Sequence, residues 1–110
     1  MTKRGLYVHW DRRHKNIDIL PDTMAALPQG GVVIGGEVLG TGVWKSRKSK
    51  LVRLDGEGGL LWVKRYDDQE TGITAMTLLA GGNLAVVGEK LRMPDDDRSG
   101  VAWVMKLAPN

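Results

Sequence analysis

The chain has 110 residues, enough for one small domain with its own core. Hydrophobic residues make up 42%, which excludes general disorder, and the absence of Cys excludes disulfides and thiolate metal sites. The net charge of +3, from 16 Lys and Arg against 13 Asp and Glu, is a mild excess and does not argue for nucleic acid.

Abundant glycine with β-branched runs favours short strands and tight turns, and Gly or Pro interrupts every candidate helix. Met1 to Gly5 is positively charged, but no apolar run follows, so no signal peptide is read. No stretch approaches the length of a membrane span. The expectation is a cytoplasmic protein, with a secreted or surface origin left open if a leader had been removed. Leu6–Trp10 reads as the first strand and Asp11 to Asp18 as a charged loop or strand end. Ile19–Leu27 reads as a strand with Pro21 near its start, where proline is tolerated. After the turn Pro28 to Gly31, Val32–Leu39 is the clearest strand of the chain. Its consecutive apolar residues suggest burial on both faces. Gly40 to Ser49 reads as a polar loop. Lys50–Leu54 and Leu60–Tyr66 read as strands around the glycine-rich turn Asp55 to Gly59. Asp67 to Thr71 is an acidic loop. Ile73–Leu79, Asn83–Lys90 and Val101–Leu107 complete an all-β set without a helix.

The strands recur. Trp62 answers to Trp10 (62 − 10 = 52), Met76 to Met24 (76 − 24 = 52) and Gly88 to Gly36 (88 − 36 = 52). Later in the unit the offset is 53, since Val104-Met105-Lys106-Leu107 matches Leu51-Val52-Arg53-Leu54 (104 − 51 = 53). Repeats of roughly 40–50 residues built from about four strands are the mark of propeller blades. The run Leu27 to Gly36, then Lys50 to Gly59, then Leu61, Trp62 and Tyr66, resembles bacterial β-propeller repeats of the broad quinoprotein-like group. Their common form is a Gly-Gly turn, a hydrophobic strand ending in Gly, a strand ending in Lys/Arg-Leu-Asp, a glycine turn and a strand bearing Trp. The resemblance covers about Leu6 to Leu107 and implies fold, not chemistry, because propellers host catalysis, glycan binding and scaffolding alike. Gly30-Gly31 and Gly81-Gly82 suit the positive φ of a two-residue hairpin turn, and Gly36 and Gly88 suit a close backbone approach.

In the order of propeller strands, Leu6–Trp10 is an outermost strand. Repeat 1 spans about residues 19–66 and repeat 2 about residues 73–107, the latter lacking its own outermost strand. Residues 1–110 are then one domain of two circularly shifted blades. Two blades cannot close a ring, since rings need about four to eight. The expectation is therefore closure between chains, with the Leu6–Trp10 strand of one chain beside Val101–Leu107 of the next. Leu6, Val8 and Trp10 would meet Val101, Trp103 and Met105 across that closure. A six-bladed trimer is preferred, with an eight-bladed tetramer or a four-bladed dimer as alternatives.

The loops expected on one face around a central channel carry His14, Lys15 and Asn16, then Trp44, Lys45, Arg47 and Lys48, alternating with acidic loops that carry Asp67, Asp68 and Glu70 and Asp95, Asp96 and Asp97. They could form a ligand or partner site with Trp44 as platform and the basic cluster attracting an anion. The plainer reading is solvated loops with weak ion pairs. No catalytic constellation is found. His9 and His14 are the only imidazoles, and Asp95-Asp96-Asp97 lacks the alternation and glycine of a calcium loop. Residues Gly35 to Gly42 do not space as a dinucleotide or phosphate loop. No metal or cofactor is expected, and no nucleic-acid or membrane partner. The leading expectation is a non-enzymatic propeller module whose partner is itself, with an unknown ligand or protein on the loop face. The alternatives are a propeller enzyme or cofactor binder with a site at the ring centre, and a piece of a larger surface-associated propeller.

Overall fold

The computed structural model describes residues 7–38, 48–66, 71–90 and 101–110. Seven strands form among them: β1 (Leu20–Ala26), β2 (Val32–Val38), β3 (Lys48–Leu54), β4 (Leu60–Tyr66), β5 (Thr71–Leu78), β6 (Leu84–Lys90) and β7 (Val101–Leu107). All pairing is antiparallel between chain neighbours, giving a four-stranded sheet β1-β2-β3-β4 and a three-stranded sheet β5-β6-β7. No helix occurs among the described residues.

The hairpin turns follow from glycine. In the first, the Leu27 N–H donates to Gly31 O and the Gly30 N–H donates back to Leu27 O, each at 3.0 Å. Three residues therefore lie between the paired Leu27 and Gly31, and the turn is longer than the two-residue one expected. Glycines at φ of +102° and +84° close it, a backbone region that side chains with a Cβ disfavour. The Leu79–Asn83 turn between β5 and β6 repeats both bonds, at 2.7 and 3.1 Å. So does the Asp55–Gly59 turn between β3 and β4, at 2.8 and 3.0 Å.

Asp55 strengthens this last turn, its Oδ1 accepting from the Glu57 N–H at 2.9 Å and the Gly59 N–H at 2.8 Å. Those two backbone donors, the Gly59 one foremost, hold its carboxyl below the ordinary 3.8. A depressed carboxylate contributes stability that is complete above its unfolded value and is lost as pH falls through its folded value. We therefore expect Asp55→Ala to lower the denaturation midpoint at pH 6. The gap to wild type should shrink on acidification from about pH 4 downwards. Urea titrations at several pH values read this, and a gap that stays constant to pH 2.5 would contradict it.

The two sheets share their irregularities. β1 shifts register between Pro21 and Thr23, leaving Asp22 without a partner. β5 shifts between Ile73 and Ala75, leaving Thr74 out (73 − 21 = 52; 75 − 23 = 52). At Gly36 a Cβ would fall on the Leu20 carbonyl oxygen, and at Gly88 on that of Gly72 (72 − 20 = 52). The close approaches expected at these two glycines are therefore present.

The sheets pack face to face, with β5 against β1 and β2. Partners across an antiparallel ladder point to the same side, so register assigns the faces. The inward face of the first sheet carries Ala25, Val33, Gly35 and Leu51. The inward face of the second carries Ile73, Met76, Leu84, Val86 and Met105. Gly35 admits the second sheet closely: a Cβ there would lie 2.8 Å from Met76 Cε and 3.2 Å from Ile73 Cγ2. Trp62, Tyr66 and Trp103 rim this core, Tyr66 and Trp103 meeting edge to face at 5.6 Å between ring centres. The Tyr66 hydroxyl donates to Met105 Sδ at 3.2 Å, and burial raises its phenol above the ordinary 10.0. Fully burying each Leu or Val contributes roughly 1.5–3 kcal/mol, so Leu51, Leu84, Val33 and Val86 carry much of the stability.

The bounds of these seven strands fall within two residues of those expected. Of the first expected strand, Leu6–Trp10, residues 7–10 form no strand in the single chain, where no neighbour stands beside them. Residues 10–14 lie against the β3–β4 turn, through the side chains described next.

Candidate functional site

The strand ends Val38, Lys48, Tyr66, Thr71, Lys90 and Val101 follow from the meander as one end of the two sheets, and the three hairpin turns as the other. The expected ligand face belongs to the first end. Trp44, Lys45, Arg47, Asp67, Asp68, Glu70, Asp95, Asp96 and Asp97 lie outside the described residues, as does Leu6. Lys48 is within them, half-buried at the start of β3. Asp22 and Thr74, which stand 52 residues apart (74 − 22 = 52), are the exposed residues of the two bulges. Among the described residues no group of three or more His, Asp or Glu is placed to hold a metal ion.

At the turn end, a hollow of about 560 Å³ is lined by residues including Pro28, Gln29, Asn83 and Asn110. Gln29 Nε2 donates to Asn110 Oδ1 across it at 3.4 Å. Among the described residues that line it, no side chain is an acid, a base or a nucleophile.

The closure residues divide. Trp103 and Met105 face inward and pack against Tyr66. Val101 begins β7, which pairs with β6 on one side and is an edge strand of its sheet. Val8 is exposed. Trp10 is bound within its own chain: its Nε1 donates to Gly56 O at 3.1 Å, and its ring covers Gly58, where a Cβ would lie 2.7 Å from Trp10 Cε3. Arg12 Nη1 donates to Glu57 O at 3.2 Å, and His14 Nε2 lies 2.9 Å from Gly58 O. Every second residue from 10 to 14 thus turns to the same side, the period of an extended strand.

The other end of the chain makes the same kind of contact. Trp62 Nε1 donates to Pro109 O at 3.3 Å. Trp10 corresponds to Trp62 (62 − 10 = 52) and Gly56 to Pro109 (109 − 56 = 53), so one indole-to-turn bond occurs twice at the sequence offset. β4 rests on the end of β7 as residues 10–14 rest on the end of β3. Pro109 O also accepts from buried Arg53 Nε at 2.7 Å, and Arg53 Nη1 donates to Leu54 O at 3.1 Å. These carbonyls satisfy a guanidinium whose burial is otherwise costly.

Sequence reasoning singled out Trp10, set His14 on the loop face whereas the structure has it against the β3–β4 turn, and missed Arg12 and Arg53. The offset that pairs Trp10 with Trp62 also pairs Arg12 with Lys64 and His14 with Tyr66, and so carried a signal for Arg12 and His14. Arg53 had none, because its partner is a main-chain oxygen 56 residues away.

No family model, curated protein or solved structure matches this chain. Among the described residues no helix is long and apolar enough to cross a membrane.

Proposed function

We propose that this protein is a non-enzymatic, self-assembling β-propeller module, in which each chain supplies two blades and closes the ring with its neighbours to form a binding or scaffolding platform. The four strands of the first sheet match the number in one blade, and β5-β6-β7 matches a blade short of its outermost strand. The observation that carries the reading is the Trp10–Gly56 bond. It reproduces Trp62–Pro109, so residues 10–14 occupy the place of an outer strand whose own blade is not in this chain. A second chain has that blade to offer.

A closed ring removes the unpaired edge of β7, which left open invites aggregation. Three chains giving six blades is the preferred closure, with two or four chains as alternatives. Any bound partner would sit at the strand end that Lys48 marks.

Mass in solution tests this directly. Light scattering behind gel filtration should give one discrete multiple of 12.1 kDa, preferably three. A monomer at micromolar concentration would reject the reading. Removing residues 1–14 should convert the discrete particle into monomers or aggregates, and an unchanged particle would show that the N-terminal segment closes nothing.

A further inference from the structure

We infer that the outward faces of the two sheets form a second copy of the interface that already joins them inside the chain. A neighbouring copy would lay its β5-β6-β7 sheet on the outward face of β1-β2-β3-β4. This rests on the assembly reading above and specifies the surfaces and register it would use.

Register defines both surfaces. On the first sheet, Met24 pairs with Ile34, Ile34 with Val52 and Val52 with Val63, an apolar row across all four strands. Met24 is 59% exposed and Val63 is exposed, while Ile34 is half-buried and Val52 buried between them. On the second sheet, Ala75 pairs with Val87 and Val87 with Val104, which is 69% exposed. These rows point away from the internal core.

Each row has its equivalent inside that core. Met24, Ile34 and Val52 correspond to Met76, Val86 and Met105, the inward row of the second sheet (76 − 24 = 52; 86 − 34 = 52; 105 − 52 = 53). Val87 and Val104 correspond to Gly35 and Leu51, the surface on which that inward row rests (87 − 35 = 52; 104 − 51 = 53). The molecule therefore contains one interface in full and carries the residue rows of each half of another on opposite sides, exposed at Met24, Val63, Val87 and Val104 and already buried at Val52. Such a surface pair is heterologous: it joins copies head to tail and cannot be satisfied within a single chain.

Bulk is conserved between the two versions. A valine stands at 87 where the internal interface has Gly35. In return Val104 replaces the larger Leu51, and Ala85 replaces Val33. Ala75 and Thr77 exchange places with Thr23 and Ala25. Volume-conserving exchanges of this kind are what packed apolar surfaces tolerate.

The same correspondence fixes the strand register. Trp62 pairs with Arg53 and Lys64 with Leu51. Their equivalents put Trp10 opposite Lys106 and Arg12 opposite Val104 of the neighbouring copy, residues 10–14 becoming the fourth strand beside β7.

The chain has no Cys, so disulfide trapping reads this register cleanly. Directly opposed strand positions lie within disulfide reach. Arg12→Cys with Val104→Cys in one chain should oxidise to covalently linked multimers. Arg13→Cys with Val104→Cys, one residue out of register, should link at least about 10-fold less.

The faces are tested by Met24→Lys and Val87→Asp made separately. Each should weaken self-association by at least about 100-fold, because a charge would be buried without a partner. Mixed together they should form a 1:1 dimer, since each variant retains the face the other has lost. Circular dichroism matching wild type shows that the exposed substitutions leave the fold intact, and the disulfide pair decides if either does not fold.

A monomeric wild type overturns the assembly reading and this inference with it. A discrete wild-type oligomer unaffected by both face variants and not linked by Arg12→Cys/Val104→Cys overturns the interface alone.

Discussion

Replacing Gly36 by alanine is expected to lower the unfolding free energy by about 3 kcal/mol, and replacing Gly88 to do nearly the same. A Cβ at Gly36 would fall on the carbonyl oxygen of Leu20, with Pro21 Cα 2.9 Å away. At Gly88 it would fall on the carbonyl oxygen of Gly72, with Ile73 Cα 3.1 Å away. Both obstacles are backbone, so no rotamer change relieves them. The strand beside each glycine must move, and it is held there by a register shift between Pro21 and Thr23 in one sheet and between Ile73 and Ala75 in the other. A bulge turns the backbone of one strand toward its partner, and the partner can carry no side chain at that point.

Gly30→Ala and Gly81→Ala are the controls. No atom lies within 4 Å of a Cβ at either position, and only the positive φ opposes substitution. They should cost about 1 kcal/mol. Urea denaturation of the four variants at one fixed protein concentration measures the contrast, the fixed concentration mattering because association adds to apparent stability. Equal losses at Gly36 and Gly30 would mean that β1 does not approach Gly36 as described.

The strands were legible because their signal is local. Val32-Val33-Ile34 and Leu84-Ala85-Val86-Val87 are β-branched or apolar runs bounded by glycine turns, and those turns are set by residues within five positions of each other. The offset of 52 was legible for the same reason, since Trp, Met and Gly-Glu recur at fixed places. The state of residues 7–10 was not. An outer strand and an extended segment lying against a turn share the same alternation, and only a pairing partner separates them. Burial of Lys50 and Arg53 in β3 was also hidden. A charged residue in a strand reads as solvent-facing, and what reverses this for Arg53 is the carbonyl of Pro109, reached only when the chain end folds back on the first sheet. Of the candidate site, Lys48, His14 to Asn16 and the closure residues from Val8 onward fall within the described residues, and the rest of the ligand face lies outside them.

Leu51 and Val104 occupy equivalent places, yet substituting them should have opposite kinds of effect. Leu51 is fully buried, and its Cδ2 closes the space beside Gly35 where Met76 enters. Leu51→Ala removes apolar contacts and leaves a cavity between the two packed sheets. The neighbouring strands are locked in register and cannot collapse into it. The expected loss is about 3–4 kcal/mol, a large part of the roughly 5–15 kcal/mol available to a domain. Val104 is 69% exposed in the single chain, and Val104→Ala should change the stability of that chain by less than about 0.5 kcal/mol. The same substitution should weaken self-association, because Val104 would there stand where Leu51 stands in the internal interface. Denaturant midpoints and sedimentation of both variants separate the two effects. A core position injures folding and an interface position injures assembly, although the sequence offset makes them the same position. Should Val104→Ala destabilise the fold as much as Leu51→Ala, the outward face of the second sheet would be buried within the chain, and no surface would remain for a neighbour to cover.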